Sequence, residues 1–220
     1  MGKDGAVEQG VGPHSWQPED EDDYQALNAE LKERFATWCV DTGTDVDADA
    51  PESPIHYKWG YLDGHLTRWT RRDLDEVYLE LYPAKVIVED DELSDVMAEA
   101  RAFMTFLINA GLLDTGSEPG KVLLQHLDEI EGRFRANMAD TSRYSFGKRL
   151  WTEAAAEGVR PDDPAAVEDF MARLHSRPPD ERDAILGGGL KSGNRRAPTG
   201  RFTPPGAPPR PGSRKRRKRR

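Results

Sequence analysis

Cysteine is nearly missing from this sequence, which has only Cys39 in 220 residues. An intrachain disulfide is therefore excluded, as is a zinc site made of four thiolates. Long hydrophobic runs are also missing: the longest, residues 103–108, is interrupted by Thr105 and is too short to span a bilayer. The N-terminus carries no apolar stretch of the secretory type. We therefore expect a soluble, cytoplasmic protein without a membrane segment.

Apolar side chains are scarce, at 36% of the residues with a mean hydropathy of −0.78. They are concentrated between Tyr24 and Leu186, where they suffice for one modest core. Residues 1–20 are rich in glycine and charge, and Trp16 alone does not make a core. The sequence thus predicts one domain over residues 21–187, with disordered segments at residues 1–20 and 188–220.

Acidic residues are absent from residues 191–220, which hold twelve Lys or Arg and end in seven adjacent cations. Residues 1–190 hold all 40 Asp and Glu against 19 Lys and Arg, a formal charge of −21. Runs of like charge repel themselves and serve as arms for polyanions. We call the last seven residues the arm; they are Arg214, Lys215, Arg216, Arg217, Lys218, Arg219 and Arg220.

Spacings of three or four between apolar residues predict helices along most of the body. One begins at Glu21, and another follows a capping box at Thr70 and Asp73 and stops at Pro83. Further helices are predicted at 91–110, at 119–138, before Gly158, after Asp163, and at 179–186. The helix before Gly158 is predicted to turn Phe146, Leu150, Trp151 and Ala154 inward.

Two stretches remain ambiguous. Residues 55–69 fit a short helix or an irregular packed segment, and residues 85–88 fit a brief extended segment. No run alternates between apolar and polar residues for long enough to predict a sheet. The fold class predicted is therefore all-α, a single bundle of six or seven helices.

Several helix boundaries resemble those of a group of all-helical actinobacterial proteins to which no function is assigned. The resemblance covers about residues 57–187. It is carried by Trp69-Thr70, Pro83-Ala84-Lys85-Val86, Gly111-Leu112-Leu113, Phe146-Gly147-Lys148, Glu157-Gly158-Val159 and Pro178-Pro179-Asp180-Glu181-Arg182. It implies an all-helical fold and no catalytic residues.

Candidate metal ligands lie close together in residues 56–65. His56, Asp63 and His65 offer two imidazoles and a carboxylate, which suit zinc or iron with open positions. Alternating Asp45, Asp47 and Asp49 resemble the start of a calcium loop. However, Ala50 stands where such a loop needs glycine and His56 where it needs glutamate, which favours a solvated acidic loop.

Aromatic and basic residues also alternate, at Tyr57, Trp59, Tyr61 and Trp69 among Lys58, Arg68, Arg71 and Arg72. They fit either a stacking surface for single-stranded nucleic acid or a core whose cations reach outward, and we favour the core. A second basic region, suggestive of a helix-turn-helix but lacking a recognition-helix pattern, contains Arg133, Arg135, Arg143, Lys148, Arg149 and Arg160.

These patterns favour a non-enzymatic binding protein that needs no cofactor. Its arm, assisted by Arg195, Arg196, Arg201 and Arg210, would contact RNA, DNA or a nucleoprotein without sequence specificity. The helical body would bind a protein partner. Arg outnumbers Lys by 22 to 9, which indicates a GC-rich bacterial genome.

Two further hypotheses remain open. One is a small metal-dependent enzyme with a site at His56, Asp63 and His65. In that case the purified protein would contain zinc or iron, and the His65→Ala variant would lose it. The other is that the arm folds back onto acidic residues of the body near 19–23 or 41–52.

Overall fold

A computed structural model describes residues 15–186, and its regular secondary structure over that range is entirely helical. This confirms the predicted all-α class, with eight helices in the described part of the chain where six or seven were expected. The arm and the linker that precedes it lie outside the described residues, as do residues 1–14. The helices are α1 (Glu21–Thr42), α2 (Glu52–Tyr61), α3 (the consecutive stretches Arg71–Leu74, Asp75–Leu81 and Tyr82–Lys85), α4 (Leu93–Asn109), α5 (Gly120–Ala139), α6 (Phe146–Ala156), α7 (Pro164–Ser176) and α8 (Pro179–Leu186); a 3-10 turn, Thr141–Arg143, precedes α6.

The first helix follows its sequence pattern closely. The Asp20 side chain caps its start by accepting from the backbone N–H of Asp23, and Gly43 ends it with a positive φ of 68°. Its buried stripe faces the core and consists of Tyr24, Leu27, Leu31, Phe35 and Cys39. The predicted helix from Glu21 is confirmed.

The main hydrophobic core lies among α1 to α5. Phe35 is fully buried, and its ring meets the edges of Phe103 and Phe106 at centroid distances of 6.1 and 5.5 Å. Trp16 also joins this core, being 9% exposed, and its carbonyl accepts from the backbone N–H of Leu66 at 2.9 Å. A hydrogen bond from a distant loop thus anchors Trp16 to the fold, within the segment 1–20 that the sequence predicted to be disordered.

Helix α3 does not stop at Pro83 as predicted. It passes through a π-helical stretch, Asp75–Leu81, and continues to Lys85. Proline has no N–H for the carbonyl of Leu79, four residues earlier. That carbonyl instead accepts from the Asn137 side chain at 2.9 Å and from Arg143 at 3.4 Å. Side chains from outside α3 therefore supply the hydrogen-bond donors that Pro83 lacks.

A second, smaller hydrophobic cluster is formed by α6, α7 and α8. Its buried residues are Ala154, Val159, Phe170 and Leu174, with Leu150 and Trp151 packed against them. One modest core was predicted, and residues 15–186 form two clusters. The division was not visible in the sequence because both sets of apolar residues follow the same helical spacing.

Phe146 is 60% exposed, so its predicted inward position is wrong, and Lys148 is buried in its place. The backbone N–H of Ser145, which caps α6, donates to the Ala84 carbonyl at 2.9 Å. This contact fixes the start of α6 against the end of α3. Lys148 lies about 200° around the helix from Phe146 and therefore faces α3.

Two glycines of α5 give opposite stability predictions. A Cβ atom at Gly120 would lie 2.5 and 2.6 Å from Cγ1 and Cδ1 of Ile108, whereas one at Gly132 would meet no atom within 4 Å. We expect Gly120→Ala to lower the free energy of unfolding by about 1–3 kcal/mol through overpacking. Its matched control, Gly132→Ala, should raise it by about 0.5–1 kcal/mol. Urea unfolding measures both, and equal shifts for the two variants would contradict the packing of α5 on α4.

Candidate functional site

The surface of the body is strongly acidic. Residues 15–186 hold 38 Asp or Glu and 18 Lys or Arg. At least eleven of those cations have a nitrogen within 3.4 Å of a carboxylate oxygen. The positive charges of the body are thus largely engaged by its own acids, and the predicted arm lies outside the described residues.

The second basic region does not form an open phosphate-binding surface. Arg135 pairs with Glu131, Arg143 with Glu80, and Arg160 with Asp162, at 3.1, 3.2 and 2.7 Å. Arg149 donates to the backbone carbonyls of Tyr144 and Thr141. Two of the cations that suggested a helix-turn-helix, Arg143 and Arg149, therefore hold the turn between α5 and α6.

Lys58 is the centre of a polar cluster that the sequence did not reveal. Its side chain is fully buried on α2, with Nζ 3.0 Å from Oδ1 of Asp63 and 2.9 Å from Oδ2 of Asp73. Nζ also lies 5.2 Å from the centroid of the Trp69 ring. The two contacts with the carboxylates are ion pairs at short distance, and neither has the geometry of a hydrogen bond. They join α2, the loop after it and α3.

Both carboxylates of this cluster have further partners. Asp73 Oδ2 accepts from the N–H and hydroxyl of Thr70, each at 2.9 Å, which confirms the predicted capping box. Burial opposes ionisation of Asp63, but hydrogen bonds from Arg68 and the charge of the Lys58 ammonium outweigh it and hold the pKa of that carboxyl below its usual value. The cluster is structural, because its ammonium group is closed off from solvent.

The aromatic segment is core rather than an open stacking surface, as we favoured. Trp69 and Tyr57 are buried, at 1% and 7% exposure. Lys58 does not reach outward as expected but turns into the cluster. Tyr61 is 43% exposed and Trp59 is half-buried, and both rings line an open groove together with part of Tyr57.

The proposed metal ligands are not gathered into one site. Asp63 binds Lys58 and Arg68, and His65 donates its backbone N–H to Asp63 at 3.1 Å. His56 is exposed on α2 beside the rings of Tyr57 and Tyr61. Within residues 15–186, no three His, Cys, Asp or Glu side chains lie close enough together to hold a metal ion.

An open groove of about 590 Å³ lies between α1 and α2. One wall is formed by Tyr24 and Trp59, whose rings are stacked at 5.3 Å with 7° between their planes. The rest of the lining includes Glu21, Gln25, Asn28, Glu52, His56 and Tyr61, and it contains no Lys or Arg. Aromatic faces and carboxylates together form a surface that favours cations.

Two features bear on the charge around this groove. The pKa of Tyr24 is raised by burial and then by the charges of Glu21 and Glu52, while Lys32 acts in the opposite direction. Beside it, the ammonium of Lys85 lies 4.6 Å from the centroid of the Tyr61 ring. The aromatic rings of this region therefore already attract a cation from the protein itself.

A smaller acidic cleft lies between the loop after α1 and α4. It has a volume of about 340 Å³ and is lined by Asp45, Asp47, Asp95 and Glu99. Burial and then the neighbouring carboxylates raise the pKa of Glu99. The cleft contains two of the aspartates that resembled a calcium loop, but it offers no aromatic ring.

The described residues thus define an acidic all-helical protein with a cation-favouring groove. None of the helices in residues 15–186 is both long and apolar enough to cross a membrane. Comparisons with protein-family models, curated proteins and solved structures gave no significant match. The resemblance to actinobacterial proteins stays a prediction.

Proposed function

We propose that this is a non-enzymatic, cytoplasmic binding protein whose arm contacts nucleic acid or a nucleoprotein without sequence specificity. The observation that carries the proposal is the separation of charge along the chain. Seven adjacent cations stand at 214–220, whereas residues 15–186 hold 38 acids. Phosphate contacts made by such a run provide affinity but read no bases.

The state of the body's cations supports this assignment to the arm. Arg68, Arg101 and Arg177 each lie within 2.8 Å of a carboxylate oxygen, and others are held in the same way. An acidic surface repels phosphates. The body is instead suited to a protein partner or to a cationic ligand in its groove.

The proposal is tested with a variant of unchanged length, in which every arm residue is replaced by glutamine (Arg214→Gln through Arg220→Gln, the two lysines included). We call it the neutral-arm variant. For the full chain, the logarithm of affinity for a 20-nucleotide single strand should fall against the logarithm of salt concentration with a slope near about −5 to −6. Affinity should therefore drop about a thousandfold or more between 50 and 200 mM salt. Fluorescence anisotropy with labelled RNA and DNA measures this affinity at each salt concentration.

The matched control neutralises the scattered cations instead (Arg195→Gln, Arg196→Gln, Arg201→Gln and Arg210→Gln). It should keep most of the slope, while the neutral-arm variant should lose nearly all of it. Equal affinity of the neutral-arm variant and the full chain at 50 mM salt would refute the role of the arm. A strong preference for one base sequence would refute the absence of specificity.

A further inference from the structure

The cation-favouring groove and the cationic arm belong to the same chain, and we propose that the groove between α1 and α2 binds arginines of the arm intramolecularly. This inference rests on the proposed function, because docking in the groove would compete with phosphate binding. The proposal assigns the contact to one place on the body, the part of the groove formed by the rings of Tyr24 and Trp59 and the carboxylates of Glu21 and Glu52.

The chemistry of the groove suits guanidinium groups better than other cations. A guanidinium is planar and stacks on an aromatic face while its N–H groups donate to a carboxylate. The stacked Tyr24–Trp59 pair supplies the face, and Glu21 and the 59%-exposed Glu52 side chain supply acceptors. Lys32 already pairs with Oε2 of Glu52 at 2.8 Å, so a guanidinium would bind the other oxygen of that carboxylate. Five of the seven arm residues are arginine.

Asn28 supplies an additional acceptor. Its Oδ1 atom is buried at the groove and finds no hydrogen-bond donor among residues 15–186. A buried oxygen without a donor is costly, so a donor that enters the groove is favoured there. A guanidinium carries five N–H donors and, once the Asn28 amide turns toward the groove, can serve this oxygen and a carboxylate together.

The chain between the fold and the arm is long enough for this contact. The described structure ends at Leu186, and 27 residues separate it from Arg214. Such a segment reaches at most about 90 Å, whereas a domain of this size is about 40 Å across. The groove is therefore within reach wherever it lies relative to Leu186.

Docking would regulate the arm. When only a fraction of molecules has a free arm, the apparent affinity for nucleic acid is reduced by that fraction. If about nine molecules in ten are docked at low salt, the apparent affinity is about tenfold weaker than that of a free arm. Polyanions of low charge density would then bind the protein poorly, whereas dense phosphate arrays would still displace the arm from the groove and bind it.

The direct test uses the indole N–H resonances of the full chain, without nucleic acid. Trp59 lies in the groove, whereas Trp69 is buried beside Lys58 and Trp151 lies in the second cluster. In 20 mM salt, the Trp59 resonance should differ between the full chain and the neutral-arm variant, and the other two should coincide. Coincidence of all three would overturn the proposal.

Matched variants locate the contact. Glu21→Gln with Glu52→Gln should move the Trp59 resonance of the full chain to the neutral-arm position. Asp45→Asn with Asp47→Asn removes the same charge from the acidic cleft, which has no ring, and should leave it unchanged. An equal change in both would show attraction to the acidic body in general and would overturn the groove as the site.

A lysine arm separates stacking from charge. Arg214→Lys, Arg216→Lys, Arg217→Lys, Arg219→Lys and Arg220→Lys together keep all seven charges. This variant should lose most of the Trp59 shift yet bind a single strand at least as tightly as the full chain. A Trp59 shift as large as that of the natural arm would refute guanidinium stacking.

Nucleic acid then distinguishes the two proposals. Titration of the full chain with a twelve-nucleotide oligothymidylate should return the Trp59 resonance to the neutral-arm position. The Glu21→Gln, Glu52→Gln variant should bind this strand up to about tenfold more tightly. A Trp59 shift that the strand never reverses would leave docking standing and refute the nucleic-acid function. Reversal is therefore a test of the proposed function, and the shift itself is a test of docking.

Discussion

Lys58→Met is expected to lower the free energy of unfolding by about 3 kcal/mol. Removing one partner of a buried ion pair leaves the other charge uncompensated, which costs about 3–5 kcal/mol. The lower end applies because Asp63 is 35% exposed and keeps Arg68, while Asp73 keeps Thr70. Chemical denaturation measures this loss.

Lys121→Met is the matched control, since Lys121 is an exposed lysine of α5. It should change stability by less than about 0.5 kcal/mol. Combining Lys58→Met with Asp73→Asn should cost less than the sum of the two single changes, because the second removes a charge that the first left uncompensated. Strict additivity would contradict a direct interaction between Lys58 and Asp73.

Acid should weaken this cluster through Asp63. Its folded-state pKa lies below its ordinary value, so its contribution is fully present above about pH 3.9. That contribution is lost as the pH falls through the lower folded value, because protonation then ends the pairing with Arg68 and Lys58. Acid unfolding of Lys58→Met should accordingly show a shallower dependence on pH in this window.

Lys148→Glu is expected to destabilise the packing of α6 against α3 by at least about 3 kcal/mol. The Lys148 ammonium donates to the Pro83 carbonyl at 3.0 Å and lies 3.9 Å from the centroid of the Tyr144 ring. A carboxylate would face a carbonyl oxygen and the negative face of a ring. Hydrogen exchange should show faster exchange in residues 146–186 before the main core is affected.

Lys148→Met is the companion variant, because it keeps the length of the side chain and removes the charge. Burial lowers the pKa of Lys148 to about 8, below the value of about 10.4 in an unfolded chain. Between these values the unfolded chain binds more protons, so stability should rise as the pH increases from 8 to 10. Lys148→Met should abolish this rise, and a rise equal to that of the natural protein would contradict the assignment to Lys148.

Most helix positions could be predicted from local sequence patterns, since capping and apolar spacing act within a few residues. Asp163 followed by a first-turn proline starts α7, and its side chain accepts from the N–H of Ala166. Gly111 follows α4 with a φ of 64°, as its place in the pattern predicted. The prediction that α3 stops at Pro83 was wrong because the donors that replace its missing N–H come from residues 137 and 143.

The groove and the Lys58 cluster could not be read from the sequence in the same way. Tyr24 and Trp59 are 35 positions apart and become one wall only when α1 packs on α2. The basic region around Arg143 looked like a possible nucleic-acid surface, and its partners, such as Glu80, lie far away in the chain. A distant acid thus engages Arg143, whereas Arg135 and Arg160 pair with acids close to them in the sequence.

The sequence by itself determined an all-helical, acidic body, the positions of most helix ends and a cationic run at residues 214–220, because each follows from composition or from contacts within a single turn. Only the tertiary structure decided that Lys58 lies inside, that Phe146 lies outside, that the apolar residues form two clusters, and that rings and carboxylates meet in a groove. The physical reason is that burial and ion pairing depend on which helices pack together, and no local pattern of residues specifies that choice.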